Sequence, residues 1–261
     1  MRKFLGKLLI VQYLIICAAL LSGCVVPIMT THGTFTGGVE GTGEIISQTT
    51  APGSFTGIDI GRAFSVTYRR SDTPSVTVVM HENLFEYLEI SLQGGTLYID
   101  TTEIIHARDR ADTPRIYIYA PYLETVSLRG AVEASGWDTL YADQLSISLS
   151  GAVDLTLRLE VNNLQIHATG AVDAELSGKT DTADITAMGA ANISAANMWA
   201  REVNLEALGA STAYIYAHES LDIRAAGAAI VRYSGDPGSV NSTVVGAGSV
   251  TPLTTGPVPR P

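Results

Sequence analysis

Hydrophobic and polar positions alternate with a period of two through much of this chain, and in its second half a Gly-Ala pair resets that alternation at regular intervals. The pairs begin at Gly130, Gly151, Gly170, Gly189, Gly209, Gly227 and Gly246, separated by 21, 19, 19, 20, 18 and 19 residues. With each glycine as zero, positions minus four and minus two read Val126 and Leu128, Ile147 and Leu149, Ile166 and Ala168, Ile185 and Ala187, Leu205 and Ala207, Ile223 and Ala225, then Ser242 and Val244. Between them, at minus three, stand Ser127, Ser148, His167, Thr186, Glu206, Arg224 and Thr243, polar throughout. Successive side chains of a strand point to opposite faces, so the first set turns inward and the second outward. Beyond the glycine, Val132, Val153, Val172 and Ala191 fall inside at plus two, while Glu133, Asp154, Asp173, Asn192 and Thr212 fall outside at plus three.

A period of this length predicts stacked units, each of which buries its apolar face only against its neighbours. The predicted fold class is all-β: a single parallel β-solenoid (β-helix) with coils of about 19–21 residues and an irregular β-rich N-terminal cap. Each coil holds two strands hinged at Gly-Ala, and connections such as Asn162-Asn163 or Gly178-Lys179 return the chain to the next level. Glycine suits such a corner because it accepts positive φ and needs no room for a side chain. At about 4.8 Å per level, seven levels make a stack roughly 30 Å tall. The many inward alanines predict a thin core, and both ends of the stack need caps.

Phe55–Ile60, Phe64–Tyr68, Val76–Met80, Leu88–Leu92, Thr96–Asp100 and Arg115–Ala120 read as strands, with Gly94-Gly95 as a hairpin turn between two of them. His81–Leu88 reads as one short helix with Leu84 and Leu88 on the same face. Residues 53–129 are thus expected to form the cap and first coils, and residues 130–250 the regular repeats.

At the N-terminus Arg2, Lys3 and Lys7 precede an apolar run from Leu8 to Leu21, the pattern of a secretory signal. Leu21-Ser22-Gly23-Cys24 resembles a bacterial lipobox, which implies a signal peptide over 1–23 and lipid on Cys24. Val25 follows, where this resemblance would show Asp for inner-membrane retention, so an outer-membrane address is expected. Residues 24–52, rich in Gly and Thr, read as a flexible tether, and 251–261 as a Pro-rich tail. The only other cysteine, Cys17, lies in the signal, so no disulfide is expected. Loss of residues 1–23 moves the net charge from −10 to about −13, which argues against nucleic-acid partners. The lipid, rather than charge, is then what ties the chain to a membrane.

Several segments together resemble the head GIN domain of the autotransporter adhesins. They are Gly53-Ser54-Phe55 with Ile58-Asp59-Ile60, then Asn83-Leu84 followed by Gly95-Thr96-Leu97-Tyr98-Ile99, and Ala120-Pro121-Tyr122-Leu123. Next come Ser150-Gly151-Ala152-Val153-Asp154 and Thr169-Gly170-Ala171-Val172-Asp173, and lastly Val231-Arg232-Tyr233-Ser234-Gly235-Asp236-Pro237. The resemblance covers about residues 43–250 and implies a single-domain parallel β-helix, many members of the family being lipoproteins or secreted proteins, with no assigned catalytic residues.

Two surface groups carry candidate chemistry. Glu133, Asp154, Asp173 and Asn192 would stack about one level apart, either as a solvated acidic face or as oxygen ligands for Ca²⁺. Trp137, Trp199, Tyr214, Tyr216, Tyr233 and Tyr141 would either cover the ends of a thin core or offer rings to a glycan or protein. His32, His81, His106, His167 and His218 show no metal-ligand spacing, and no phosphate loop or nucleophile elbow occurs. Stacked Ser148, His167 and Thr186 read as ordinary outward strand residues. The expectation is a lipid-anchored envelope module that binds an unknown protein or glycan, with no catalysis, metal or cofactor. The alternatives are an envelope scaffold and a polysaccharide-acting β-helix enzyme, the latter by fold analogy alone.

Overall fold

The computed structural model describes residues 37–253. The signal, Cys24 and the tail beyond Leu253 lie outside the described residues. Strands dominate: β1 Val39–Glu40, β2 Ile45–Thr50, β3 Gly57–Ile60, β4 Ala63–Arg70, β5 Ser75–His81, β6 Leu88–Gln93, β7 Thr96–Thr101, β8 Ile105–His106 and β9 Arg115–Ala120. The repeats follow as β10 Thr125–Ala134, β11 Leu140–Gly189, β12 Asn192–Gly209, β13 Thr212–Tyr216, β14 Ser220–Gly227, β15 Ile230–Ser234, β16 Ser239–Gly246 and β17 Ser249–Pro252. A 3₁₀ turn over Glu82–Tyr87 replaces the helix expected over His81–Leu88: it buries Leu84, but His81 ends β5 and the half-buried Leu88 opens β6, so the two leucines share no helix face.

From β10 onward the strand pairing is parallel, with one shift of register between Glu175 and Ser177 where β11 lies on β12. Gly130 pairs with Gly151, Gly189 with Gly209, Gly209 with Gly227, and Gly227 with Gly246. A Cβ built on Gly170 would lie 2.5 Å from the Gly151 carbonyl oxygen, which places those two corners in the same column. All seven glycines have φ between +85° and +108°, the left-handed region that favours glycine. They mark one ridge along a solenoid of about six turns.

The inward residues at minus four and minus two, from Val126 to Ala225, are buried in one continuous core running from Phe55 to Val231. Ser242 and Val244 depart from that expectation. They are exposed, because β16 pairs only with β14 and no described strand stacks beyond it.

The first half is a modified end of the same stack. β3 and β4 form a coil beneath β10, with Thr125–Leu128 on Gly57–Ile60 and Ala131–Ala134 on Ala63–Val66. Below them β7 and β9 pair in parallel with β3 and β4. Antiparallel strands then close this end: β6 against β7, β5 against β9, and β2 against β5. The β6–β7 hairpin turns on Gly94 and Gly95 at φ +57° and +81°. β2 corrects the expected tether boundary: its backbone pairs with β5 over Ile45–Thr50, so residues read as linker are part of the cap. Their Thr, Ser and Gln side chains belong on an exposed outer strand, and that polarity made them resemble a linker.

Candidate functional site

On the face that precedes the glycine ridge, the outward residues at minus five are Thr125, Ser146, Gln165, Asp184, Asn204, Asp222 and Asn241, one from each of the seven levels. Their inward neighbours in sequence, such as Ile147, Ile185 and Ile223, are buried, so the strands hold this row outward through the same alternation that builds the core. Two depressions lie along it. One, of about 790 Å³, is bounded by Glu124, Asp143, Asn163 and Thr182 as well as the row. The other, of about 490 Å³, is bounded by Thr186, Glu206, Arg224 and Thr243. They meet at Asp184, making a polar furrow that crosses successive levels.

Side chains in and beside the furrow hold one another across levels. The Asn204 amide donates to Asp184 Oδ1 at 2.7 Å, the Thr182 hydroxyl lies 2.8 Å from Asn163 Oδ1, and Asn162 donates to Asp143 Oδ1 at 2.6 Å. Such ladders fix donors and acceptors before a ligand arrives, which lowers the ordering cost of binding. Glu124, Asp143, Asp184, Glu206 and Asp222 face a single lining base, Arg224. The furrow therefore disfavours anionic ligands and suits neutral or cationic ones. The outward polarity of its residues was legible in the sequence, but its concavity comes from the shape of the coil and leaves no mark in the alternation.

The acidic row at plus three assembles in register: Glu133 pairs with Asp154 and Asp173 with Asn192, and Ser65 continues it below Glu133. Its ends are already partnered. Arg110 binds Glu133 through two nitrogens, and that hydrogen bond and charge hold the Arg110 guanidinium above its ordinary pKa. Asn192 donates to Asp173 Oδ1 at 3.1 Å. Among the described residues no group of three or more His, Cys, Asp and Glu is placed to hold a metal ion.

The six aromatics do not form a platform. Trp137 donates its indole N–H to the Val66 carbonyl at 2.8 Å and packs on Tyr68, whose phenol is buried and pushed up to about pKa 12 chiefly by desolvation. Trp199 is flanked by Lys179, with its ammonium 5.2 Å from the ring centroid, and by His218 at 5.4 Å. Arg70 lies over Tyr141 and Arg232 over Tyr214, while Tyr216 is buried and Tyr233 packs against the core. Of the histidines, His81 bonds Asp112 and the Gly43 carbonyl in the cap, and His167 stands exposed on its strand.

The family described as "Putative auto-transporter adhesin, head GIN domain" matches residues 54–237. Among solved structures, a putative adhesin of Bacteroides fragilis NCTC 9343 superposes with a TM-score of 0.77 at 21% identity, covering 83% of this chain and 100% of that one. A putative adhesin of Parabacteroides merdae ATCC 43184 gives 0.65 at 21% identity, covering 84% and 100%. A putative lipid binding protein of Parabacteroides distasonis ATCC 8503 gives 0.66 at 20% identity, covering 83% and 99%. At these identities the likeness is one of fold. No curated protein matches the chain.

Proposed function

From the premise that this chain belongs to the auto-transporter adhesin head GIN domain family, we propose that it is a lipid-anchored cell-envelope binding module that holds its ligand along the flank furrow without transforming it. The observation that carries this reading is the furrow, open along its length and lined by outward side chains at the spacing of the coils. An extended protein segment or glycan laid along the axis meets a fresh rung of hydroxyl, amide or carboxylate at each level, about 4.8 Å apart. One of its carboxylates, Asp184, is already engaged by Asn204, which suits a fixed recognition surface better than an acid or base that must exchange protons.

Anchoring rests on the lipobox-like Leu21-Ser22-Gly23-Cys24 and on an apolar leader preceded by three basic residues. Labelled palmitate incorporated by the full chain and lost in Cys24→Ser is the expected result. The binding reading is tested by incubating the protein with panels of acidic and neutral polysaccharides and matrix proteins. Retention of an intact neutral or cationic component supports it, and release of oligosaccharides would replace it with the enzyme reading. Protease added to intact cells discriminates adhesion from scaffolding: cleavage of the solenoid supports surface display, and protection supports a periplasmic scaffold.

A further inference from the structure

The C-terminal coil ends the described stack differently from the N-terminal one. At the N-terminal end antiparallel strands β2, β5 and β6 fold over the last parallel pair. At the other end β16 and β17 pair, among the described residues, on one side only, each with the strand beneath it. Val240 and Val244, which continue the inward columns above Leu221 and Ala225, are 38% and 41% exposed, whereas those two are buried. Residues 238–253 carry no charged side chain, although the preceding coil holds Asp222, Arg224, Arg232 and Asp236. Sheet edges that stay monomeric are usually blunted by charge, proline or a bulge. Over Ser239–Gly246 this edge has none of them.

We infer that this bare coil docks on the same coil of a second copy of the chain, β16 against β16 in antiparallel register, to give an end-to-end pair related by a two-fold axis. Two observations favour a second copy over another occupant. First, a register centred on Ser242 is self-complementary: Val240 faces Val244 of the second copy, Asn241 faces its Thr243, and the two Ser242 hydroxyls meet on the axis. Second, in a chain of net charge −10 this is a neutral end, where two like-charged molecules approach with least repulsion. Residues 254–261 are a poor substitute, because Pro257, Pro259 and Pro261 have no N–H to donate to a strand edge. Since β2 and β17 lie at opposite ends of the strand order, the two N-terminal caps of the pair point away from each other. The contact offers about 16 residues a side, fewer than the roughly 20–30 of a standard interface, so it is a weak contact that requires high local concentration.

The test is oxidative cross-linking of the full chain in its own membrane, where that concentration is met. Paired antiparallel residues have Cα atoms about 4.5–5.5 Å apart, within disulfide range. Ser242→Cys is expected to give a covalent dimer under copper-phenanthroline, at least about tenfold above Thr186→Cys on the same flank, and adding Val244→Lys is expected to abolish it. Sedimentation of the wild-type and Val244→Lys chains in detergent gives a second readout that needs no cysteine, with a concentration-dependent dimer expected only for the wild type. Equal yields from the two cysteines, an adduct with a different protein, or a dimer that appears only after residues 254–261 are removed would each overturn the inference.

Discussion

One level beneath Gly130, Arg62 holds the same corner at φ +67°, and a Cβ placed on Gly130 would come within 2.6 Å of the Arg62 carbonyl oxygen. Arg62 is the only non-glycine residue with positive φ among those described, and it stands where the column begins. Beneath it β7 and β9 are joined by the long segment 102–114, which contains β8, rather than by a tight Gly-Ala corner. Its guanidinium reaches Asp100 at 3.3 Å. Glycine is therefore demanded by stacking as well as by backbone angle.

Two substitutions separate those demands. Gly170→Ala should cost about 3 kcal/mol or more, because φ is +108° and the new methyl meets the Gly151 carbonyl at 2.5 Å. Gly94→Ala, at φ +57° with open space around it, should cost only about 1 kcal/mol. Urea denaturation midpoints decide the matter, and equal losses would mean that the ridge is not close-packed.

Ser211 is fully buried in the column of Val132, Val153, Val172 and Ala191, and its hydroxyl has no hydrogen-bond partner among the described residues. Removing the oxygen should remove a desolvation cost. Ser211→Ala is expected to raise stability by about 1 kcal/mol, read as a higher melting temperature.

Much of this was legible in advance, for a reason visible at individual residues. Glycine at zero, apolar residues at minus four and minus two and polar ones at minus three are all enforced by one geometry repeated along the axis, so each level corroborates the next. Where repetition stops, legibility stops with it. Ile45–Thr50 reads as linker because an outer cap strand needs little apolar surface, and its pairing with β5 depends on residues some thirty positions away. The exposure of Val244 depends on what lies above it, which its own sequence pattern does not record. The acidic row was legible by register, whereas the Arg110 that neutralises Glu133 comes from an irregular loop. The furrow escaped notice because alternation reports which way a side chain points and nothing of the curvature of the surface beneath it.

Tyr68 predicts an alkaline limit. Burial raises its pKa from 10.0 to about 12, so the fold favours the neutral phenol, which donates to the Ala120 carbonyl at 3.0 Å. This contribution is full below the unfolded value of 10.0 and is lost as pH rises to about 12. Tyr68→Phe should cost about 1 kcal/mol at neutral pH and flatten the decline between pH 10 and 12. Denaturation midpoints across that range measure both effects, and an unchanged slope would remove Tyr68 as the cause.

Calcium should not stabilise the chain. With Glu133 bound to Arg110 and Asp173 accepting from Asn192, two of the three carboxylates of the plus-three row already have partners within the protein. Millimolar Ca²⁺ is expected to shift the melting temperature by less than about 1 °C, because a ligand stabilises only as it binds the native state. A rise of several degrees that chelator reverses would reopen this row as a cation site.

The most direct test of the furrow as the recognition surface is adherence of cells displaying the chain to immobilised matrix proteins and neutral glycans. It compares the wild type with Asp184→Lys combined with Asp222→Lys, and with Asp154→Lys on the other face. All three positions are exposed, so the denaturation midpoint serves as the control for folding. The account predicts that the furrow variant loses about tenfold or more in adherence, some 1.4 kcal/mol, while Asp154→Lys adheres as the wild type does. Undiminished adherence of a folded furrow variant, or an equal loss in Asp154→Lys, would contradict it.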